Sequence, residues 1–437
     1  MPDYKIVHDS VHGSVRLNGI FLKLLERPEM QRLHGIHQLG LAHLVFPGAN
    51  HTRLEHSLGT YFIAEKMANA LQLSEEEKLC VMAAALLHDI GHPPYSHTLE
   101  AVLNDRLGLT HVELTKSIIL GEKMSVNRRT MKFLGVSGTI RDLLEEADIS
   151  PNDVAELVSS SSPNFSLQSR LEVEGGQGFF GGRNYLRQMI HGPIDVDQMD
   201  YLLRDAHYTG VAHGTIDLDR LLQTVAIFHG DLVVDKSGLV AAEGLLVARA
   251  LMYTSVYFHK TVRIAEMMLC KAAESAPKDV FNDIQMETDC TFASKLLRSG
   301  GEARCIMTAL QYRHLYKKAF SINIADLDEN TLSCLLELTN YYKRKEAEAK
   351  IAKRAKIKES DVIVDVPEKE LLISEPRIGK TDVPILDGNK VKSLARHSPL
   401  AKALQNRSVH SWAVMVSAPE KYKDIVGDVA KKVILAQ

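Results

Sequence analysis

Five cysteines in 437 residues, at positions 80, 270, 290, 305 and 334, form no CxxC pair. That speaks against a thiolate zinc site and a disulfide framework and fits a reducing cytoplasm. Net charge is only −3, so no global basic field is available for nonspecific nucleic-acid binding. No apolar run reads as long enough to cross a bilayer, so no membrane partner is expected. The start, MPDYKIVHDS, lacks the charged-then-apolar layout of a signal. The glycines of GGQGFFGG are not followed by Lys-Ser/Thr, which excludes a phosphate-cradling P-loop. What remains is ordinary globular usage, 45% apolar and 24% charged, in a chain long enough for one large domain or two to three ordinary ones.

Histidine carries the information. Of 19, 11 fall between His8 and His111, which points to chemistry in the first quarter of the chain. LLHDIGHPPYSH, residues 86–97, follows the apolar run Val81 to Leu87. The capping box Ser74–Glu77 opens a central helix there, from Glu75 to roughly Ile90, stopped by Gly91 and Pro93-Pro94. One histidine at a helix C-terminus is most simply a dipole cap. His88, Asp89 and His92 beside a buried stretch ask for pairing or a metal, because buried polarity is costly otherwise.

HTRLEHSLG precedes a helix expected from Thr60. His56, at its N-terminal edge, is the best further ligand candidate, although alone it reads more readily as structural; Arg53 and Glu55 read as a surface pair. In DVDQMDYLLRDAHYTG, Asp197, Tyr201 and Asp205 share one helix face. Asp200 and Arg204 read as an ordinary i, i+4 pair of about a few tenths of a kcal/mol. Two imidazoles and two carboxylates would suit Mn, Fe, Zn or Ni with room for a water of lowered pKa, a nucleophile for phosphate or acyl esters. In ARALMYTSVYFHK, Arg249, Tyr253 and Tyr257 repeat every four residues. Spacing alone favours two core tyrosines and a surface arginine there; a phosphate-binding arginine with aromatic walls is the alternative.

Further helices are expected over 194–206 and 239–275, with a hairpin turning at His229-Gly230-Asp231 between them. Residues 159–182 read as a Ser/Gly-rich loop. From about 341 come a charged helix, strand-like DVIVDV, ELLISEP and SWAVMVSAP, and a last helix. The expected fold is mainly α, with residues 1–225 as core, 226–340 as a helical extension completing the pocket, and 341–437 as a smaller α+β region.

Taken in order, HQLGLAHLVFPGANHTRLEHSLGT, LLHDIGHPPYSH and DVDQMDYLLRDAHYTG resemble the HD-domain phosphohydrolases. The similar branch is the deoxynucleoside triphosphate triphosphohydrolases, which includes vertebrate enzymes with a sterile-alpha-motif domain and bacterial dGTP triphosphohydrolases. The resemblance runs from about Val7 to Thr261, more loosely beyond. It implies an HD-domain helical core and hydrolysis of dNTPs to deoxynucleoside and triphosphate. It also implies a divalent metal (Mn, Fe, Zn, Ni or Mg) on His56, His88, Asp89 and Asp197. Gln38 and Leu39 would read the deoxyribose edge, with Tyr201 and Asp205 beside the sugar, and Tyr257 would fill the space a 2′-hydroxyl needs. Arg53, His92, His111 and Arg249 would meet the phosphates, with Tyr253 on the arginine helix. His97, oriented by Glu100, would protonate the leaving 5′-oxygen. A homo-oligomer is implied by analogy.

Three departures from the vertebrate pattern stand out: Gln198 replaces a phosphate-binding lysine, Tyr253 a histidine, and Phe258 a glutamine. They leave room for shorter phosphates. Glu26 and Gln31 are compatible with the vertebrate guanine-nucleotide regulatory site, but His34 stands where its arginine is expected, so activation in that mode is not expected. Two alternatives remain: an HD phosphohydrolase of monophosphates or other phosphoesters, and a nonhydrolytic nucleotide or nucleic-acid binder using the helix Lys343 to Lys358. Glu346 and Glu348 favour a solvated face for that helix.

Overall fold

Apolar periodicity and capping chemistry decide where the helices lie. The computed structural model describes residues 4–108, 110–159, 181–323, 327, 329–366, 382–405 and 412–435. An N-terminal hairpin, β1 (Tyr4–Asp9) and β2 (Gly13–Asn18), is followed by α1 (Arg53–Ala70) and α2 (Glu75–Leu87). The second half of α2, Val81 to Leu87, is at most 3% exposed, which makes it the centre of the core as its all-round apolar sequence requires. Ser74 caps α2 in a reciprocal box with Glu77, as expected.

α1 begins earlier than the expected Thr60. The Thr52 side chain accepts a bond from the Glu55 backbone N–H, and the Glu55 carboxylate accepts one from the Thr52 backbone N–H, a second capping box hidden in HTRLEH. Glu55 is therefore a cap rather than the surface partner of Arg53, and His56 lies inside the helix.

Next come α3 (Val196–Thr209), capped by Asp195 and ended by left-handed Gly210, then β3 (Val225–Phe228) and β4 (Asp231–Asp235). The hairpin between the strands turns at His229 and Gly230, both at positive φ (50° and 81°), the conformation such a tight turn needs. The expected helix 239–275 is broken into α4 (Leu239–Met252), a π-helical turn Tyr253–Tyr257, and α5 (Lys260–Glu274). The stretch Lys236–Tyr257 is long and apolar enough by length and composition to span a membrane, contrary to expectation. Half of it is buried inside the fold, including the fully buried Arg249, so it serves as a core helix.

α6 (Asp289–Ser299), β5 (Lys317–Ile322), α7 (Tyr341–Ala355), β6 (Ile363–Asp365), β7 (Pro384–Asp387), β8 (Lys390–Ser393), β9 (Val414–Ala418) and α8 (Lys423–Ile434) follow. β9 is the centre of a three-stranded antiparallel sheet between β5 and β6. β7 pairs in parallel with β4, which joins the tail to the earlier hairpin in one four-stranded sheet. The fold is mainly α with a smaller α+β part. The expected loop 159–182 and the strand-like ELLISEP lie almost wholly outside the described residues.

Candidate metal centre

Three helices deliver the cluster. α1 carries His56 in its second turn, α2 ends so that His88 is its capping residue, and α3 holds Asp197 in its first turn. His56 Nε2 and His88 Nε2 face each other at 3.2 Å, and Asp197 Oδ1 lies 2.9 Å from the first and 3.8 Å from the second. One ligand atom from each residue falls within 4.8 Å of the others.

The other ring nitrogens fix the tautomers. His56 Nδ1 donates to Asp200 Oδ2 at 2.7 Å, and His88 Nδ1 donates to the Ala85 carbonyl at 2.8 Å. With both rings neutral the Nε2 lone pairs would point at one spot beside a carboxylate, an arrangement relieved either by a proton on His56 or by a metal that displaces it. Burial opposes charging His56, but Asp197 and Asp200 outweigh it and lift its pKa up to about 10. Two imidazole nitrogens and a carboxylate suit a borderline divalent cation, so the donor set fits a metal.

Asp89 adjoins the cluster, with Oδ1 3.4 Å from His88 Nε2 and Oδ2 3.9 Å from His56 Nε2. It is also held by Arg53 Nη1 at 2.5 Å and His92 Nε2 at 3.1 Å. Burial works against its charge, yet Arg53, His88 and His92 hold its carboxyl well below the usual range.

Asp200 was not expected to matter, and the structure corrects that reading. Its carboxylate and the Arg204 guanidinium are fully buried and bonded bidentately at 2.8 and 2.9 Å. Arg204 also reaches Asp9 Oδ2 at 2.7 Å, and His12 Nε2 lies 2.6 Å from Asp200 Oδ1. The turn of the N-terminal hairpin thus braces the carboxylate that orients His56. Gly59 permits the approach of α1, since a Cβ there would lie 1.8 Å from Asp200 Oδ1. Nothing in sequence spacing signals His12, which is 188 residues from Asp200.

A cleft of about 1380 Å³ opens from the cluster. Gln38, Leu39, Tyr201, Asp205, Tyr253 and Tyr257 all line it, as do Arg53, His92, His111, Glu100 and Arg249. Gln38 Oε1 is buried and has no hydrogen-bond partner among the described residues. Tyr253 and Tyr257 meet edge to face at 5.1 Å, and the π-helical turn that carries them is a feature common at functional sites. Arg249 is 1% exposed, not the surface arginine that spacing suggested, and its Nη1 donates to Gln198 Oε1 at 3.0 Å.

Arg53 is committed to Asp89 and to Ser96 Oγ, at 2.5 Å each. His92 stacks on His111 at 4.3 Å, and burial together with the Arg53 charge holds it neutral, well below its usual range. His111 Nδ1 lies 2.7 Å from Glu100 Oε1. The His97 side chain lies outside the described part of the structure, although its backbone lies in the turn Ser96–Leu99. Two further cleft neighbours escaped the sequence reading. Asp195 is pushed up to about 8 by burial and by Asp197, and His51, buried, holds Asp205 at 2.7 Å.

The HD domain family matches residues 53–205, and the HD associated region matches residues 216–436. The uncharacterized protein MJ1154 of Methanocaldococcus jannaschii is 32% identical over 432 residues, covering 96% of this chain and 81% of that protein. The deoxynucleoside triphosphate triphosphohydrolase SAMHD1 of Gallus gallus is 26% identical over 333 residues; the match covers 72% of this chain and 50% of that enzyme. A crystal structure of a protein from Aquifex aeolicus superposes with a TM-score of 0.70 at 29% identity, covering 98% of this chain and 99% of that one.

Proposed function

The chain belongs to the HD-domain family, and from that premise we propose that it is a metal-dependent hydrolase converting deoxynucleoside triphosphates to deoxynucleoside and triphosphate. The observation that carries the reading is the pair of preoriented Nε2 atoms at 3.2 Å beside Asp197, within a cleft large enough for a nucleotide. His56, His88, Asp197 and Asp89 would hold the ion, which supplies Lewis-acid activation of water and phosphoryl oxygen.

The chain's own residues do the rest. Asp200 and the Ala85 carbonyl keep both imidazoles in the ligating tautomer. Gln38, whose buried oxygen has no partner among the described residues, would read the sugar edge, and Asp205 with Tyr257 would close the space beside C2′. Arg249 and His111 would steady the phosphates as charge builds on them. Water oxygen bonds to the α-phosphorus and releases a proton to solvent, the P–O5′ bond breaks, and His97 gives its own proton to the departing 5′-oxygen and is reprotonated from solvent. A homo-oligomer working in the cytoplasm completes this proposal; the four described cysteines are free thiols, in keeping with a reducing compartment.

One observation favours a second reading, hydrolysis of monophosphates. Arg53 is bonded to Asp89 and Ser96, Arg249 is bonded to Gln198, and His92 is neutral, so three of the four side chains assigned to the phosphates are already engaged or uncharged. The nonhydrolytic binder is less well supported. Lys345, in the basic helix, is paired with Glu274 and Glu348 rather than offered to solvent.

Purified protein with Mn or Mg, given dGTP, dGMP and a phosphodiester, separates these readings by product. Triphosphate from dGTP supports the first, and orthophosphate from dGMP supports the second. Salt-sensitive binding of single-stranded nucleic acid without turnover, surviving Asp197→Ala, supports the binder.

A further inference from the structure

We infer that His51 is a positioning residue for sugar recognition: its side chain fixes Asp205 and, through it, Tyr257, while its main chain fixes Gln38. The inference rests on the sugar-edge reading proposed above and extends it to a residue that lies behind the cleft wall.

His51 Nε2 lies 2.7 Å from Asp205 Oδ1, and the Tyr257 hydroxyl donates to Asp205 Oδ2 at 2.6 Å. Both carboxylate oxygens of Asp205 are thereby assigned, one to a buried imidazole and one to the tyrosine of the cleft wall. The His51 side chain is fully buried and the Asp205 side chain is 2% exposed, so water does not compete for the bond between them. The His51 ring stacks on Tyr208 at 4.6 Å with an 18° tilt. Tyr208 is pinned in turn by donating to Glu55 Oε1 at 2.7 Å. The ring therefore cannot swing without disturbing the cap of α1.

On the other side, the Gln38 N–H donates to the His51 carbonyl at 3.0 Å, beside the isolated bridge between His37 and Thr52. One residue thus links the turn bearing Gln38 to the carboxylate on α3. The ring's Nδ1 is buried with no partner among the described residues. A buried nitrogen left bare is a cost that a merely space-filling side chain would not incur. Among the described residues, the one hydrogen bond of the His51 side chain goes to a carboxylate in the substrate cleft.

Without that bond, Asp205 can turn away from Tyr257. The tyrosine ring then loses the anchor that keeps it against C2′, and a ribose hydroxyl gains room. The effect belongs in substrate discrimination rather than in metal binding.

The test measures kcat and KM for each dNTP and its ribonucleotide counterpart, with bound metal counted in parallel. His51→Asn, whose amide is too short to reach Asp205, is expected to lower the deoxy-over-ribo ratio of kcat/KM about tenfold, mainly through KM. His51→Gln, whose amide nitrogen reaches the Nε2 position, is expected to keep that ratio within about threefold of wild type. Metal content stays unchanged in both. A wild-type ratio in His51→Asn overturns the inference. Should that variant not fold, His51→Met, which keeps bulk without a donor, carries the same test. Asp205→Asn separates the two levels: if it keeps the wild-type ratio, the sugar-edge reading falls. If it loses the ratio while His51→Asn does not, only the role of His51 falls. A wild-type enzyme that does not discriminate overturns both.

Discussion

His56 Nε2 stands 3.2 Å from His88 Nε2, with the Nδ1 of each ring already donating, one to a carboxylate and one to a carbonyl. Once a divalent cation displaces the His56 Nε2 proton, these two nitrogens form a ligand pair beside Asp197. Removing either ring removes half of the nitrogen set. His88→Ala and Asp197→Ala, purified without chelators, should lose bound metal and hydrolysis together. Elemental analysis checks this, and a variant with wild-type metal stoichiometry would sink the centre as assigned.

Asp200 tests whether support behind the ligands matters as much as the ligands. It touches no ion position, yet it orients His56, binds Arg204 bidentately and meets His12. Asp200→Asn should weaken metal affinity by about 10–100-fold, the usual cost of losing a partner behind a ligating histidine. Metal titration of the apoprotein reads this directly. An unchanged affinity would reduce Asp200 to a purely structural brace.

His97→Ala separates chemistry from assembly. The proposed proton donor is not one of the four proposed ligands, so metal content should stay at the wild-type level. kcat should fall by about 10²–10⁴-fold, and a leaving group that needs no proton should recover much of the loss. Turnover at the wild-type rate would end the assignment.

How much of this was legible before folding depends on sequence distance. The central helix, its capping box and the His88-Asp89 doublet are local, because cap, periodicity and stop lie within twenty residues. The tail strands over DVIVDV and SWAVMVSAP were visible from their β-branched runs, and β6 and β9 fall inside them. Asp200 was misread because helical spacing alone makes an i, i+4 pair look solvated. Its burial is set by Gly59 on another helix and by Asp9 and His12 from the N-terminal hairpin. Arg249 was misread for the same reason. The π-helical turn at Tyr253–Tyr257 breaks the four-residue spacing, and no residue there advertises it.

Glu348 was read from sequence as part of a solvated face, and the structure buries it at 3% exposure. It takes Lys271 Nζ at 2.6 Å, Lys345 Nζ at 3.1 Å and the Val364 N–H at 3.0 Å, which ties α5, α7 and β6 together. Glu348→Ala leaves the buried Lys271 ammonium without this partner, so it should cost about 3–5 kcal/mol at neutral pH. Burial pushes the Glu348 carboxyl up, but Lys271 and Lys345 outweigh it and leave the pKa lowered. A carboxyl more acidic folded than unfolded contributes stability above its unfolded pKa and loses it as pH falls through the folded one. Wild type should therefore lose Tm on acidification below about pH 4.5, with Glu348 contributing to the slope. Glu348→Gln should start lower at pH 7 and fall less steeply between pH 5 and 3. Parallel Tm-versus-pH curves for the two proteins would show that the Glu348 charge contributes nothing to the junction.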